Sequence, residues 1–134
     1  MLPLVVGAVV VVVMLVTVVT DVGALWLQRR SLQATVDGAA LAGAQSLDLA
    51  PIYADGAQGD LRLDARTARI RVRAYAASLP SARRLASFRL TAVTVDTTTV
   101  TVRANAVARL PFLSWVTGRG VTLVAQASAR SAAP

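Results

Sequence analysis

Residues 4–49 read LVVGAVVVVVMLVTVVTDVGALWLQRRSLQATVDGAALAGAQSLDL. From Leu4 to Val19 the only polar side chain is Thr17, and before Arg29 the only charge is Asp21. A helix rises about 1.5 Å per residue and a hydrocarbon core is about 30 Å thick, so about 20 such residues cross it. The run predicts a transmembrane helix over residues 1–28. No proline or turn cluster follows before Pro51, so the same helix continues beyond the bilayer to about residue 49, with Leu25, Leu32, Val36, Leu41 and Leu47 among Ala and Gly as its packing surface. Ala34, Gly38 and Ala42 form a row at four-residue spacing, as do Ala39 with Gly43 and Ala40 with Ala44, which lets another backbone come close. Two partners stand open for that row, the domain's own sheet and a neighbouring subunit. Asp37 has no second titratable group paired with it in sequence, which suits a surface or helix-terminus partner better than a catalytic acid.

Around this segment, Met1, Leu2 and Pro3 carry no side-chain charge, whereas Arg29 and Arg30 follow the span. A count of flanking positive charges alone would leave the bulk of the chain in the cytoplasm, but that count works best for short loops. Val22-Gly23-Ala24 resembles a small-residue cleavage site, so a cleaved, secreted protein is one alternative; the long apolar run and the unbroken helical pattern beyond it favour a retained anchor. Asp21 lies about five residues, or about 7 Å, inside an interface marked by Trp26 and the two arginines, where a lone carboxylate needs a partner. If the span ends at Thr20, Asp21 is simply hydrated.

Composition excludes more than it assigns. Cysteine, histidine, lysine and glutamate are absent, so thiolate chemistry, disulfides and most general bases are ruled out. The ionisable side chains are 14 arginines, seven aspartates and two tyrosines, a set that argues against an enzyme and offers no catalytic, cofactor-binding or metal-ligating residues. The formal net charge of +7 favours anionic neighbours such as lipid head groups or acidic polymers. Nucleic acid is an unlikely partner, because only Tyr75 among the aromatics accompanies the arginine-rich segment and no stacking platform results.

The run TDVGALWLQRRSLQATVDGAALAGAQSL resembles the amino-terminal signature of the TadE/TadG-like family of Tad (Flp) pilus-assembly proteins. An apolar span leads to an aspartate followed by Val-Gly, then an arginine step, a Leu-Gln, and an aspartate heading a small-residue helix. The matching positions are Asp21, Gly23, Arg29, Arg30, Leu32, Gln33, Asp37, Ala39, Ala40, Leu41, Ala42 and Ala44. The resemblance implies a single-pass cell-envelope protein with its carboxy-terminal part outside the cytoplasm, in a machine related to type IV pili. It departs from prepilin-like members in having no glutamate near the start of the apolar run, and the chain is too short for the large extra domain of some longer TadG-like proteins.

Beyond the turn-rich Pro51–Gly59, Asp60 as N-cap and Pro80 as stop predict an amphipathic helix over about 60–79. Leu61, Ala65, Ala68, Val72, Tyr75, Ala76 and Leu79 share one face, and Arg62, Arg66, Arg69 and Arg73 form an adjoining stripe that either meets an anion or is solvated. Period-two alternation predicts strands over about 88–95, 99–110 and 120–130 in an antiparallel meander. The LPFLSWVTGRG connection is too apolar for an ordinary loop: Phe112 and Trp115 either cap the sheet core or contact lipid or a partner. The sequence therefore predicts an α+β, pilin-like domain over residues 29–134, non-enzymatic and anchored in the cell membrane, acting with other pilus or secretion-machine subunits. A membrane-tethered module binding an acidic polymer or DNA is the alternative.

Overall fold

A computed structural model describes residues 1–46, 63–80 and 85–131. Helix α1 (Leu2–Ala44) is unbroken over 43 residues, or about 65 Å. Its one proline, Pro3, sits in the first turn, where a missing N–H costs nothing. The hydroxyls of Thr17 and Thr20 donate to the carbonyls of Val13 and Val16, both at 2.8 Å, so the apolar half presents only hydrocarbon at its sides. Every residue from Met1 to Val16 is exposed, whereas Leu32, Thr35, Val36, Ala39, Ala40, Gly43 and Ala44 are buried. One helix thus serves two environments in succession.

The buried face packs on a three-stranded antiparallel sheet of order β1-β2-β3, formed by β1 (Ala86–Val95), β2 (Thr99–Ala108) and β3 (Val121–Arg130). Val100, Val102, Ala104, Ala106 and Ala108 of β2 turn their side chains to α1 and are at most 1% exposed. Helix and sheet surfaces are both built from small side chains, which permits the close docking that the alanine pattern predicts. A Cβ placed on Gly43 would lie 2.7 Å from Val72 Cγ2 and 3.0 Å from Val100 Cγ1. Gly43 is therefore the point where the two helices and the central strand converge.

Helix α2 (Ala65–Ser78) buries Ala68, Val72 and Ala76, three residues at four-residue spacing, against α1 and the core. It begins five residues later than the predicted cap at Asp60, which lies outside the described residues, and the cap is Asp64. The reason is local pairing: the Leu63 N–H bonds Thr97 O at 3.0 Å and the Asp64 N–H bonds Ser46 O at 3.3 Å, holding this stretch extended between the hairpin and the end of α1. The Asp64 carboxylate then accepts from the Thr67 hydroxyl and the Arg66 N–H, which hold its carboxyl below the usual carboxylate range. That cap contributes stability above the unfolded carboxylate value, and the contribution fades as pH falls through the lower folded one.

Other boundaries shift for equally specific reasons. The long helix stops at Ala44, with Gln45 as C-cap, ahead of the predicted limit near residue 49, and the Ser46 hydroxyl closes back on Gly43 O. Leu41 is 55% exposed because it lies nine positions from Leu32, half a turn away at about 100° per residue. Strand β1 starts at Ala86, with register shifts between Ala86 and Arg89 and between Leu90 and Ala92, and Ser87 takes a left-handed φ of 55°. The apolar connection predicted as a loop contains a short helix, α3 (Leu113–Thr117), closed by Gly118 at φ 64°.

Replacing Gly43 by Ala sets a helix-propensity gain of about 1 kcal/mol against overpacking of about 1–3 kcal/mol. Both neighbours are stiff, β-branched valines, so overpacking wins and the melting temperature should fall. Gly23→Ala, with nothing within 4 Å of its added Cβ, should leave it unchanged or raise it. Equal melting of the two variants would contradict this packing.

Candidate functional site

The feature that most distinguishes this chain from a plain helix-on-sheet domain is the junction around Asp21. Asp21 stands on α1 two residues beyond the uninterrupted apolar run, yet is only 9% exposed. Its carboxylate accepts the backbone N–H of Phe112 at 3.0 Å through one oxygen and that of Leu113 at 2.8 Å through the other. The first N–H groups of a helix have no partner within it, and the helix dipole favours an anion there. Asp21 is thus the cap of α3, supplied from about 90 positions away in sequence. The backbone amide of Leu110 is satisfied within the connection, by the Ser114 hydroxyl at 2.9 Å.

Two glutamines on α1 continue the seam. The Gln28 side chain donates to Arg109 O at 2.9 Å and accepts from Arg109 N at 3.1 Å, pairing with the chain as a neighbouring strand would. This pairing holds the chain just where β2 ends, at Ala108 rather than at the predicted residue 110. Gln33 donates to Gln126 O of β3 at 3.2 Å and to Asp37 Oδ1 at 2.8 Å. Asp37 is exposed.

Between α1 and the connection lies an apolar groove of about 420 Å³, whose walls include Thr17, Val18, Val22, Leu113 and Val116, with Asp21 at its side. Phe112 and Leu113 are 44% and 48% exposed, and Trp115 and Val116 are 86% and 74% exposed. These side chains therefore do not cap the sheet core. Trp26 is also exposed and carries the Arg30 guanidinium 5.4 Å from its ring centroid, within cation–π range.

The small-residue positions separate. Ala34 is exposed, Gly23 has open space around it, and Ala42 is half-buried. A Cβ on Gly38 would lie 2.7 Å from Tyr75 Cε1, so this glycine makes room for the tyrosine ring. Arg66, Arg69 and Arg73 are exposed on α2, while Arg62 lies outside the described residues. The capping role of Asp21 and the Gln28 pairing were not legible in sequence, since both partners belong to a connection with no periodic pattern. The one available signal was a carboxylate too close to the apolar run to stand alone.

Among the described residues, one long apolar helix at the amino end enters a small α+β domain. Residues 1–46 are similar to the family model described as "Putative Flp pilus-assembly TadE/G-like". No curated protein and no solved structure matches the chain. Helix α1 is long and apolar enough to cross a membrane, with a mean hydropathy of 3.0 over its most apolar window, none of which is buried.

Asp21→Ala removes the acceptor of two N–H groups and should cost about 1–3 kcal/mol, read as a lower melting temperature in detergent micelles. Asp21→Asn keeps one acceptor oxygen but turns an amide donor towards the second N–H, and should fall between the two. An Ala variant that melts like the wild type would show that the junction holds nothing together.

Proposed function

We propose that this protein is a membrane-anchored, non-enzymatic assembly component of a Tad (Flp) type pilus or secretion apparatus, with residues 1–28 in the cell membrane and residues 29–134 forming a domain on the extracytoplasmic side. The observation that carries the reading is the continuity of α1: an unburied apolar half runs without a break into the half that forms the domain's core, and the family match falls on this same segment. The helix therefore transmits position from bilayer to domain as a rigid element.

Retention of the helix is supported by Asp21. Cleavage after Ala24 would remove the carboxylate that accepts the Phe112 and Leu113 amides and leave both without their partner. A non-enzymatic role is supported by an ionisable inventory of arginine, aspartate and tyrosine alone. Partners are other subunits of the machine and the bilayer. Of the small positions on α1, Gly38 and Gly43 are already occupied by Tyr75, Val72 and Val100, so a neighbouring helix would use the open flank at Gly23 and Ala34.

Topology is tested by Ala74→Cys, an exposed position in a chain with no native cysteine. A membrane-impermeant maleimide should label it in intact cells, and pili should be lost on deletion of the gene and regained with this variant. Labelling only after lysis would reverse the orientation.

A polyanion-binding module is the second reading, favoured by the exposed Arg66, Arg69 and Arg73. Changing the three to Gln should leave the fold within about 0.5 kcal/mol and assembly intact. A steep salt dependence of heparin retention that flattens in the variant, together with lost assembly, would favour the binding module instead.

A further inference from the structure

Helix α3 is a five-residue turn of helix that cannot bury itself, and its apolar side chains are aimed neither at the core nor at the sheet. It lies beside α1 instead, against the stretch from Thr17 to Leu25. The apolar run of α1 gives way to Thr20 and Asp21, so a run of the about 20 residues that cross a bilayer at about 1.5 Å each ends near Asp21 and Val22. The foot formed by Phe112, Leu113, Trp115 and Val116 thus stands at the height where the apolar run of α1 ends.

Three further observations say what covers it. The exposed apolar surface of the foot is continuous, through the groove, with Val18 and Val22 of α1, which are 59% and 60% exposed. On the other side of the foot is a concavity of about 400 Å³ that includes Arg109, Ser114 and Arg119 and has two arginines and no acid in its lining. Trp26, with Arg30 over its ring, projects from α1 one turn or so beyond Asp21, and amphipathic Trp rings settle at membrane interfaces. Apolar side chains next to a cationic hollow match a phospholipid surface, acyl chains on one side and phosphates on the other. A protein partner would have to share the apolar surface with the lipid around α1.

We propose that residues 112–116 are a second membrane contact, an interfacial foot that seats in the leaflet where α1 emerges, with Arg109 and Arg119 facing the phosphate layer of an anionic bilayer. The proposal rests on the reading of α1 as an anchor. It gives Asp21 a purpose: the carboxylate, with one backbone N–H on each oxygen, joins foot to anchor. Two attachments in place of one restrain the tilt of the domain on the membrane surface.

The full chain is placed in vesicles of phosphatidylcholine and phosphatidylglycerol with one environment-sensitive nitrobenzoxadiazole label, at Val12→Cys, Ala74→Cys, Trp115→Cys or Val116→Cys. Labels at 115 and 116 should be quenched by lipids brominated near the head group several-fold more than the label at 74, and shielded from iodide. The label at 12 should respond to lipids brominated deep in the chain. Iodide-accessible labels at 115 and 116 with a lipid-quenched label at 12 would overturn the foot and leave the anchor standing; a water-exposed label at 12 would overturn the anchor first. Shielding of 115 and 116 that appears only at high protein-to-lipid ratio would assign the surface to a second copy and sink the proposal. Omitting phosphatidylglycerol should weaken the shielding in wild type and change little in an Arg109→Gln, Arg119→Gln variant; equal responses would remove the arginines from the contact.

Discussion

A carboxylate that accepts one backbone N–H on each oxygen sets the relation between the apolar helix and the sheet it carries. Asp21 bonds Phe112 and Leu113, and its neighbour one and a half to two turns on, Gln28, bonds both polar groups of Arg109. Together they tie the β2–β3 connection to α1 at the boundary between the exposed and the buried half of that helix. Buried hydrogen bonds to a charged group are stronger than neutral ones and costly to leave unmade. Farther along, small side chains take over, and α1 meets the alanines of β2 and the Val72 of α2 with no room for a Cβ at Gly43. Polar pairing at one end and close apolar docking at the other leave the domain one orientation on its helix.

Much of this architecture was legible in sequence because it rests on periodicity. The four-residue spacing of Ala and Gly in α1, the alternation in β2 and β3 and the Ala68, Val72, Ala76 face of α2 each follow from a single repeat. Features that depend on pairing between distant segments were not. Asp60 and Asp64 are equally good caps by composition, and only the bonds from Leu63 to Thr97 and from Asp64 to Ser46 decide between them. Helix α3 has five residues and no period to read, and it owes its cap to a residue on α1. Leu41 is apolar and sits in the helical run, but the angular count from Leu32 turns it outward. Candidate residues separate in the same manner: Gly38 is explained by Tyr75, whereas Ala34 and Gly23 remain open.

In functional terms the molecule is economical in chemistry. Arginine and aspartate alone supply its charged side chains, and three of the four described aspartates are engaged in caps and turns, Asp21 at α3, Asp64 at α2 and Asp96 with the Thr97 amide, while Asp37 accepts from Gln33. The described arginines are left facing outward, which suits contact with anionic surfaces better than bond-making. These residues build a scaffold that holds a small domain at a fixed place on a long apolar helix, the segment over which the chain is similar to the TadE/G-like family model.

The proposed anchor requires that the apolar half of α1 stay part of the mature protein, joined to the domain through Asp21. Mass spectrometry of the protein extracted from membranes tests it most directly, by following the peptide that crosses Val22-Gly23-Ala24. A retained anchor gives an unbroken peptide carrying Asp21 and the apolar residues before it. A mature chain beginning at Leu25 would contradict it.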